Sequence, residues 1–286
     1  MTIAEAIQKA AETLSARNIP DARLDAELLL RHALGKDRAW LLVHMQDRLD
    51  AGVRRSFEQS IERRKLREPL QYIIGTQEFW GLPFRVTPDV LIPRPETEFV
   101  VEAALTAVSG NSTPVIVDLC TGSGCIAISL AKELPRARIF ATDQSDRAVP
   151  VAQENARLNG VANRIRFLEG DLFGPLEELD LLGRIDCIAT NPPYVRSGDL
   201  STLQPEVRDF EPAMALFAGP EGTEIAERII HKTPGYLKSG GSFIMEMGIG
   251  QTAALGKIIE DTHKFGPISI MKDLAGIERV IISHKK

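Results

Sequence analysis

Asn191-Pro192-Pro193-Tyr194 is the segment of this chain best equipped for chemistry on nitrogen. It follows an apolar run, residues 185–190, that reads as a strand. Two prolines end the ladder there, because neither can donate a backbone N–H. Their neighbouring carbonyls are left to face a ligand. Asn191 adds a carbonyl acceptor and an amide donor, and Tyr194 a flat face for stacking. Such a set suits a planar substrate carrying an –NH2 group. The lone pair of an amide or aryl amine is delocalised, which makes it a poor nucleophile. Two acceptors on its two N–H bonds would orient the nitrogen and stabilise the positive charge that grows as it is alkylated. Alone, Asn-Pro is also a common turn starter, and a Pro-Pro pair can simply close a strand. The sequence upstream decides between these readings.

Residues 118–124, Asp-Leu-Cys-Thr-Gly-Ser-Gly, lie between an expected strand and an expected helix. Gly122 and Gly124 let the backbone pass close to a ligand at a helix N-terminus. Gly122-Ser-Gly124-Cys-Ile-Ala127 also satisfies the dinucleotide string G-x-G-x-x-A. Asp118 argues against a pyrophosphate, since a carboxylate at the strand end would repel it. A cationic ligand or an amine donor fits better, and S-adenosylmethionine is a sulfonium with an α-amino group and no phosphate. Asp143, about twenty residues on, can accept from both ribose hydroxyls, although it could also cap the helix that follows. Asp171 could accept from the adenine amino group with Leu172 against the ring; alone it reads equally as a turn carboxylate. A glycine loop, two aspartates and an asparagine at the ends of four successive strands all face one crevice, where such sheets bind ligands.

The elements that must position these residues divide the chain in three. Residues 1–70 read as a small helical bundle with apolar spacing at Ile3, Ile7, Ala10, Ala11 and Leu14. Residues 71–98 form a linker. It holds a hairpin turned at Gly81-Leu82-Pro83 and a proline-rich strap, residues 91–98, which reads either as a rigid connector or, with Arg94 and Glu96, as a wall of the site. From residue 99 to 286 strands and helices alternate, which predicts a doubly wound, mostly parallel sheet closed by an antiparallel pair near 268–283.

The 286 residues carry a net charge of −5, whereas strong non-specific nucleic-acid binders show a basic surplus. Residues 1–75 hold 13 Lys and Arg against 11 Asp and Glu, so a local patch at Arg63-Arg64-Lys65 with Arg67 stays open beside the plainer reading of a solvated helix face. The three cysteines, Cys120, Cys125 and Cys187, lack zinc-type spacing, so no metal site is expected. Reduced thiols suit a cytoplasmic protein. No segment reaches membrane-spanning length, and Glu5 and Glu12 in the first helical pattern argue against a signal peptide.

These motifs resemble class I S-adenosylmethionine-dependent methyltransferases, and Asn-Pro-Pro-Tyr narrows the likeness to those acting on planar nitrogen. The order and spacing of residues 69–75, 91–98, 118–124, 191–194 and 273–279 is similar to the release-factor glutamine methyltransferase family along essentially the whole chain. The Ile-Pro-Arg-Pro-Glu-Thr-Glu strap is the specific part. The resemblance implies a Rossmann-like, seven-stranded α/β sheet with an N-terminal helical domain that recognises substrate. It implies S-adenosylmethionine as cofactor, and as substrate the glutamine of a Gly-Gly-Gln loop in class-1 peptide chain release factors. Cys120, Thr121, Gly122, Ser123, Gly124, Asp143, Asp171, Leu172 and Asn191 would then hold the cofactor. Asn191, Pro192, Pro193 and Tyr194 would hold the glutamine, with Asn191, Pro192 and Tyr194 acting in the transfer. The loop departs from many members at Cys120, where they carry glycine, and from some at Leu172, where they carry an aromatic. A monomer without membrane or nucleic-acid partner is expected. The rivals are a nucleic-acid exocyclic-amino methyltransferase, which would grip a flipped base with the same tetrapeptide, an NAD-linked oxidoreductase, and a non-catalytic binding module.

Overall fold

The computed structural model describes every residue from Met1 to Lys286, and the chain falls into two units. The first comprises Met1–Thr76 and Gln204–Phe210. Its helices are α1 (Ile3–Ser15), α2 (Ala22–Leu34), α3 (Arg38–Val43), α4 (Ala51–Lys65) and α5 (Leu70–Ile74). Thr2 and Glu5 form a capping box that starts α1, and Gly35 ends α2 in the left-handed region. The apolar stripes of these helices meet in one core that includes Ile7, Leu14, Leu29, Leu30, Leu41 and Phe57.

The four cations of the suspected basic patch are all engaged. Arg64 is buried, bonding Asp25 at 2.7 Å and Glu206 at 3.0 Å. Arg67 reaches Glu206 at 3.1 Å, Arg63 pairs with Glu68 and Lys65 with Glu62. Neither a nucleic-acid patch nor a solvated helix face describes Arg64. It is an internal tie that fastens residue 206 to the bundle.

The second unit comprises Gln77–Leu203 and Glu211–Lys286. Strands β1 (Thr76–Phe79) and β2 (Leu82–Arg85) make the expected hairpin, with its turn one residue earlier than the sequence suggested. Trp80 (φ 55°) and Gly81 (φ 67°) are the two central residues. Positive φ at both matches the right-handed strand twist, which a turn at Gly81-Leu82-Pro83 would not. The strap follows, leading through a short 3-10 turn at Pro95–Thr97 into α6 (Glu98–Ala107).

Strand and helix then alternate: β3 (Val115–Leu119), α7 (Cys125–Glu133), β4 (Arg138–Asp143), α8 (Ala148–Leu158), β5 (Ile165–Glu169), β6 (Ile185–Thr190). Between β6 and the next core strand lies a stretch that the sequence pattern did not reveal. It holds β7 (Val195–Arg196), α9 (Pro205–Phe210, counted with the first unit), α10 (Ala213–Leu216) and β8 (Phe217–Gly219). The chain closes with α11 (Glu224–Tyr236), β9 (Leu237–Glu246), α12 (Thr252–Asp261), β10 (Ser269–Lys272) and β11 (Glu278–His284).

Seven strands form one sheet in the order β10-β11-β9-β6-β3-β4-β5. All neighbours are parallel except those of β11, which runs antiparallel to β9 and β10. Two apolar cores cover its faces, one around Ile116, Ile128 and Ile139, the other around Val117, Phe173 and Phe243. The strand order reverses between β3 and β6, so the carboxyl ends of β3, β4, β5 and β6 open onto one switch-point crevice.

Candidate active site

The loop after β3 forms the floor of that crevice. Asp118 is wholly buried, and its Oδ2 accepts from the Thr121 hydroxyl (2.6 Å) and the Ala127 N–H (3.1 Å). Its Oδ1 has no partner, and burial raises its pKa to about 7. Asp118 therefore does not face a ligand, as its position in the sequence suggested; it braces the loop from below. Thr121 and Ser123 are also buried, the first on Asp118, the second giving its carbonyl to Asn155 (2.9 Å). At Gly124 (φ 83°) a Cβ would lie 2.9 Å from Ile128 and 3.2 Å from Ala152, so glycine permits both the turn and the packing of α7 on α8. Of the five expected loop residues, Cys120 and Gly122 line the cavity; Thr121, Ser123 and Gly124 shape the loop behind them. Cys120 sits at φ 58°, a left-handed conformation that glycine adopts without the usual cost of about 1 kcal/mol.

Asp143 ends β4 on the cavity wall. Its Oδ2 accepts from Gly122 N–H (2.7 Å) and its Oδ1 from Ser145 N–H (2.9 Å). Burial pushes its pKa upward, and these donors oppose the shift. The capping role falls to Ser145, whose hydroxyl accepts from the Arg147 and Ala148 N–H groups. That leaves Asp143 lone pairs for a pair of hydroxyls. Asp171 and Leu172 lie just beyond β5 on the same wall. Arg228 already pairs with Asp171 Oδ2, so an amino group would have to use Oδ1. Leu172 presents a buried aliphatic side chain at φ 48°.

The opposite wall carries Asn191 and Pro193. Asn191 Nδ2 donates to Thr97 Oγ1 (3.1 Å), and the Thr97 hydroxyl donates to Glu246 Oε2 (2.6 Å). This relay joins the strap, the end of β6 and the end of β9. The sequence does not reveal it, because Thr97 and Glu246 lie 149 residues apart and neither residue type announces a partner at that distance. Glu246 is buried, and desolvation lifts its pKa to about 7 despite the Thr97 bond and the charges of Arg279 and Arg94; Glu96 adds to the rise. No backbone N–H donates to the Pro192 carbonyl. Pro192 and Tyr194 do not line this cavity. Tyr194 sits beside it against Gly248, where a Cβ would come within 3.1 Å of the ring. Burial and the nearby Glu246 push its phenol pKa upward. Gln251 holds that corner, donating from Nε2 to the carbonyls of Tyr194 (3.1 Å) and Gly222 (3.0 Å) while Oε1 accepts from Gly248 N–H (2.8 Å). Arg94 and Glu96 are both paired: Arg94 with buried Glu211 at 2.6 Å, Glu96 with Arg279 at 3.9 Å. They pin the strap rather than offering free charges.

The cavity lining has three carboxylates, Asp89, Asp143 and Asp171, and no basic side chain. Arg147 and Arg228 touch Asp89 and Asp171 without lining it. A dinucleotide pyrophosphate would meet only repulsion there. A cationic nucleoside with free ribose hydroxyls meets acceptors, apolar walls at Val90, Leu172, Met214 and Phe217, and the side chain of Asn191. No cluster of His, Cys, Asp and Glu could hold a metal ion, and no helix is long and apolar enough to cross a membrane.

Residues 5–75 match the family described as the PrmC N-terminal domain, and residues 97–206 match the methyltransferase small domain. The chain is 42% identical to the release factor glutamine methyltransferase of Geobacter sulfurreducens over 268 residues, covering 94% of this chain and 91% of the relative. It is 40% identical to that of Koribacter versatilis over 287 residues, covering 100% and 99%. Among solved structures, the hMettl16 catalytic domain in complex with a MAT2A 3'UTR hairpin superposes with a TM-score of 0.58 at 16% identity, covering 78% of this chain and 79% of that one. The delta-N METTL16 methyltransferase domain gives 0.53 at 20% identity, covering 73% and 90%. These structural likenesses establish the class I methyltransferase fold.

Proposed function

Because the chain belongs to the release factor glutamine methyltransferase family, we propose that it methylates the side-chain amide nitrogen of the glutamine in the Gly-Gly-Gln motif of class-1 peptide chain release factors, using S-adenosylmethionine. The observation that carries this reading is the single cavity that joins the glycine loop and Asp143 at one end to Asn191 and Pro193 at the other, lined by carboxylates and by no cation.

S-adenosylmethionine, when bound, supplies an electrophilic methyl group on a sulfonium. Its fit rests on the donor set: Asp143 for ribose hydroxyls, Asp171 and Leu172 for the base, and Cys120 and Gly122 beneath. Asn191 Oδ1 and the Pro192 carbonyl accept the two N–H bonds of the glutamine amide. Both dipoles then face the nitrogen as it becomes positive, which lowers the barrier by orientation and electrostatics. Pro193 walls the clamp, and Tyr194 packs beside it against Gly248. No strong base is needed, since an alkylated amide nitrogen sheds its proton readily. On this reading the enzyme acts as a monomer in the cytoplasm, where release factors work.

The test is transfer of radiolabelled methyl to a purified, unmethylated release factor, beside its Gly-Gly-Ala variant and bulk RNA and DNA. Label on the Gly-Gly-Gln factor alone is expected. Label on nucleic acid with none on protein would move the chain to the base-methylating relatives.

A further inference from the structure

The relay behind Asn191 has a direction. A carboxylate offers only acceptors, and a threonine hydroxyl has one proton. The Thr97–Glu246 separation of 2.6 Å lies in the range of a hydroxyl donating to an ionised carboxylate. With that proton spent, Thr97 Oγ1 can only accept. The Asn191 group facing it at 3.1 Å must then be the NH2.

We propose that Thr97 is a positioning residue that sets which face of the Asn191 amide meets substrate: its hydroxyl, committed to Glu246, captures the Asn191 NH2 and turns the Asn191 carbonyl into the cavity. The proposal rests on the clamp reading of Asn191 given above. A carboxamide is nearly symmetric in shape, so packing alone does not distinguish its oxygen from its nitrogen. Flipped, Asn191 would set its oxygen against the Thr97 oxygen and its NH2 against the substrate NH2. That double mismatch favours the observed orientation by about 10-fold to 100-fold. The latch thus selects for an amide nitrogen and against a carboxylate, because a glutamate in place of the glutamine would bring two acceptors toward the Asn191 carbonyl. Thr97, Glu246 and Asn191 come from the strap, β9 and the end of β6, and are all buried or half-buried.

The experiment compares wild type, Thr97→Val and Thr97→Ser at pH 8, where Glu246, with its pKa near 7, is ionised. Three quantities are read: methyl transfer to the Gly-Gly-Gln factor, inhibition by its Gly-Gly-Glu variant, and hydrogen exchange of the Asn191 side-chain NH2 by NMR. Valine keeps the shape and loses the hydroxyl; serine keeps the hydroxyl. Thr97→Val should lower kcat by about 10-fold to 100-fold, with KM for S-adenosylmethionine within about 2-fold. It should also bind the Gly-Gly-Glu factor about 10-fold more tightly, because its Asn191 can turn its NH2 outward. Thr97→Ser should stay near wild type in all three. Equal losses in Val and Ser, or unchanged discrimination against Gly-Gly-Glu in Thr97→Val, would overturn the latch. The exchange measurement needs no substrate, so it separates failure of the latch from failure of the proposed function. Asn191 NH2 protons of wild type should exchange at least about 10-fold more slowly than those of exposed Asn163. Equal rates would sink the latch even if Thr97→Val does not fold and even if release factors prove not to be substrates.

Discussion

Glu246→Gln tests whether the relay is built on a costly buried carboxylate. The folded protein raises the Glu246 pKa from 4.5 to about 7, chiefly by desolvation. A raised carboxylate binds its proton more tightly in the folded state than in the unfolded one. Stability is therefore fully present below the unfolded value and lost as pH climbs through the folded one. Between pH 5 and pH 8 this group should cost about 2.5 kcal/mol of folding free energy, with most of the loss between pH 5 and 7. Glutamine cannot ionise, and its Oε1 can still accept from Thr97, so Glu246→Gln should lack that share of the decline. The assay is urea unfolding of both proteins at pH 5, 6, 7 and 8, followed by fluorescence. Wild type should fall more steeply than the variant, with the gap between them closing in the variant's favour by about 2 to 3 kcal/mol at pH 8. Asp118, also raised to about 7, contributes its own decline to both proteins and cancels in the difference. Parallel curves for the two proteins would refute the reasoning: Glu246 would then be solvated or fully compensated by Arg94 and Arg279.

Asn191→Ala should cut kcat by about 100-fold to 1,000-fold while leaving S-adenosylmethionine affinity within a few-fold, measured by steady-state kinetics and calorimetry; near-normal turnover in the folded variant defeats the clamp. Asp143→Ala should do the reverse, weakening S-adenosylmethionine binding by about 10-fold or more, and unchanged calorimetry would remove Asp143 from the ribose site. Arg64→Met, which strands Asp25 and Glu206 in the first unit, should destabilise that unit by about 3 to 5 kcal/mol in chemical denaturation; a loss under about 1 kcal/mol would show that these carboxylates find water. Gly248→Ala places a methyl 2.9 Å from Gln251 Oε1 and 3.1 Å from the Tyr194 ring. Turnover should fall about 10-fold through displacement of the clamp corner, and an unaffected kcat would mean that Tyr194 does not need its present place.

Much of this molecule is legible in its sequence because the informative residues are local. The alternation of apolar strands and helices predicts the doubly wound, mostly parallel sheet, and Asn191-Pro-Pro-Tyr194 and residues 118–124 sit at strand ends where their own chemistry announces them. What the sequence hides is whatever depends on a partner far along the chain. Asp118 and Asp143 look alike as strand-end aspartates. One turns inward because Thr121 and Ala127 are placed to meet it, and the other outward over Gly122. Arg64 looks like one cation of a surface run. Its bonds to Asp25, 39 residues away, and Glu206, 142 residues away, make it an internal tie. Residues 195–219 defeat periodicity because their elements are two to six residues long and take their form from neighbours.

The same distinction explains how the site is built. The groups proposed to meet ligand, Asn191, Asp143 and the carbonyl of Pro192, are common residue types that could point anywhere. Their usefulness comes from what holds them: Gly122 and Ser145 N–H groups on Asp143, Thr97 and Glu246 behind Asn191, Gln251 across the backbone of Tyr194. A clamp that works by orientation gains nothing from stronger chemistry in its contacting atoms. It gains from bonds that remove wrong orientations, and those bonds come from buried groups such as Glu246 that cost stability to keep. Retaining an ionisable group there, where a leucine would pack more cheaply, is the expected mark of a site whose rate depends on which way one amide faces.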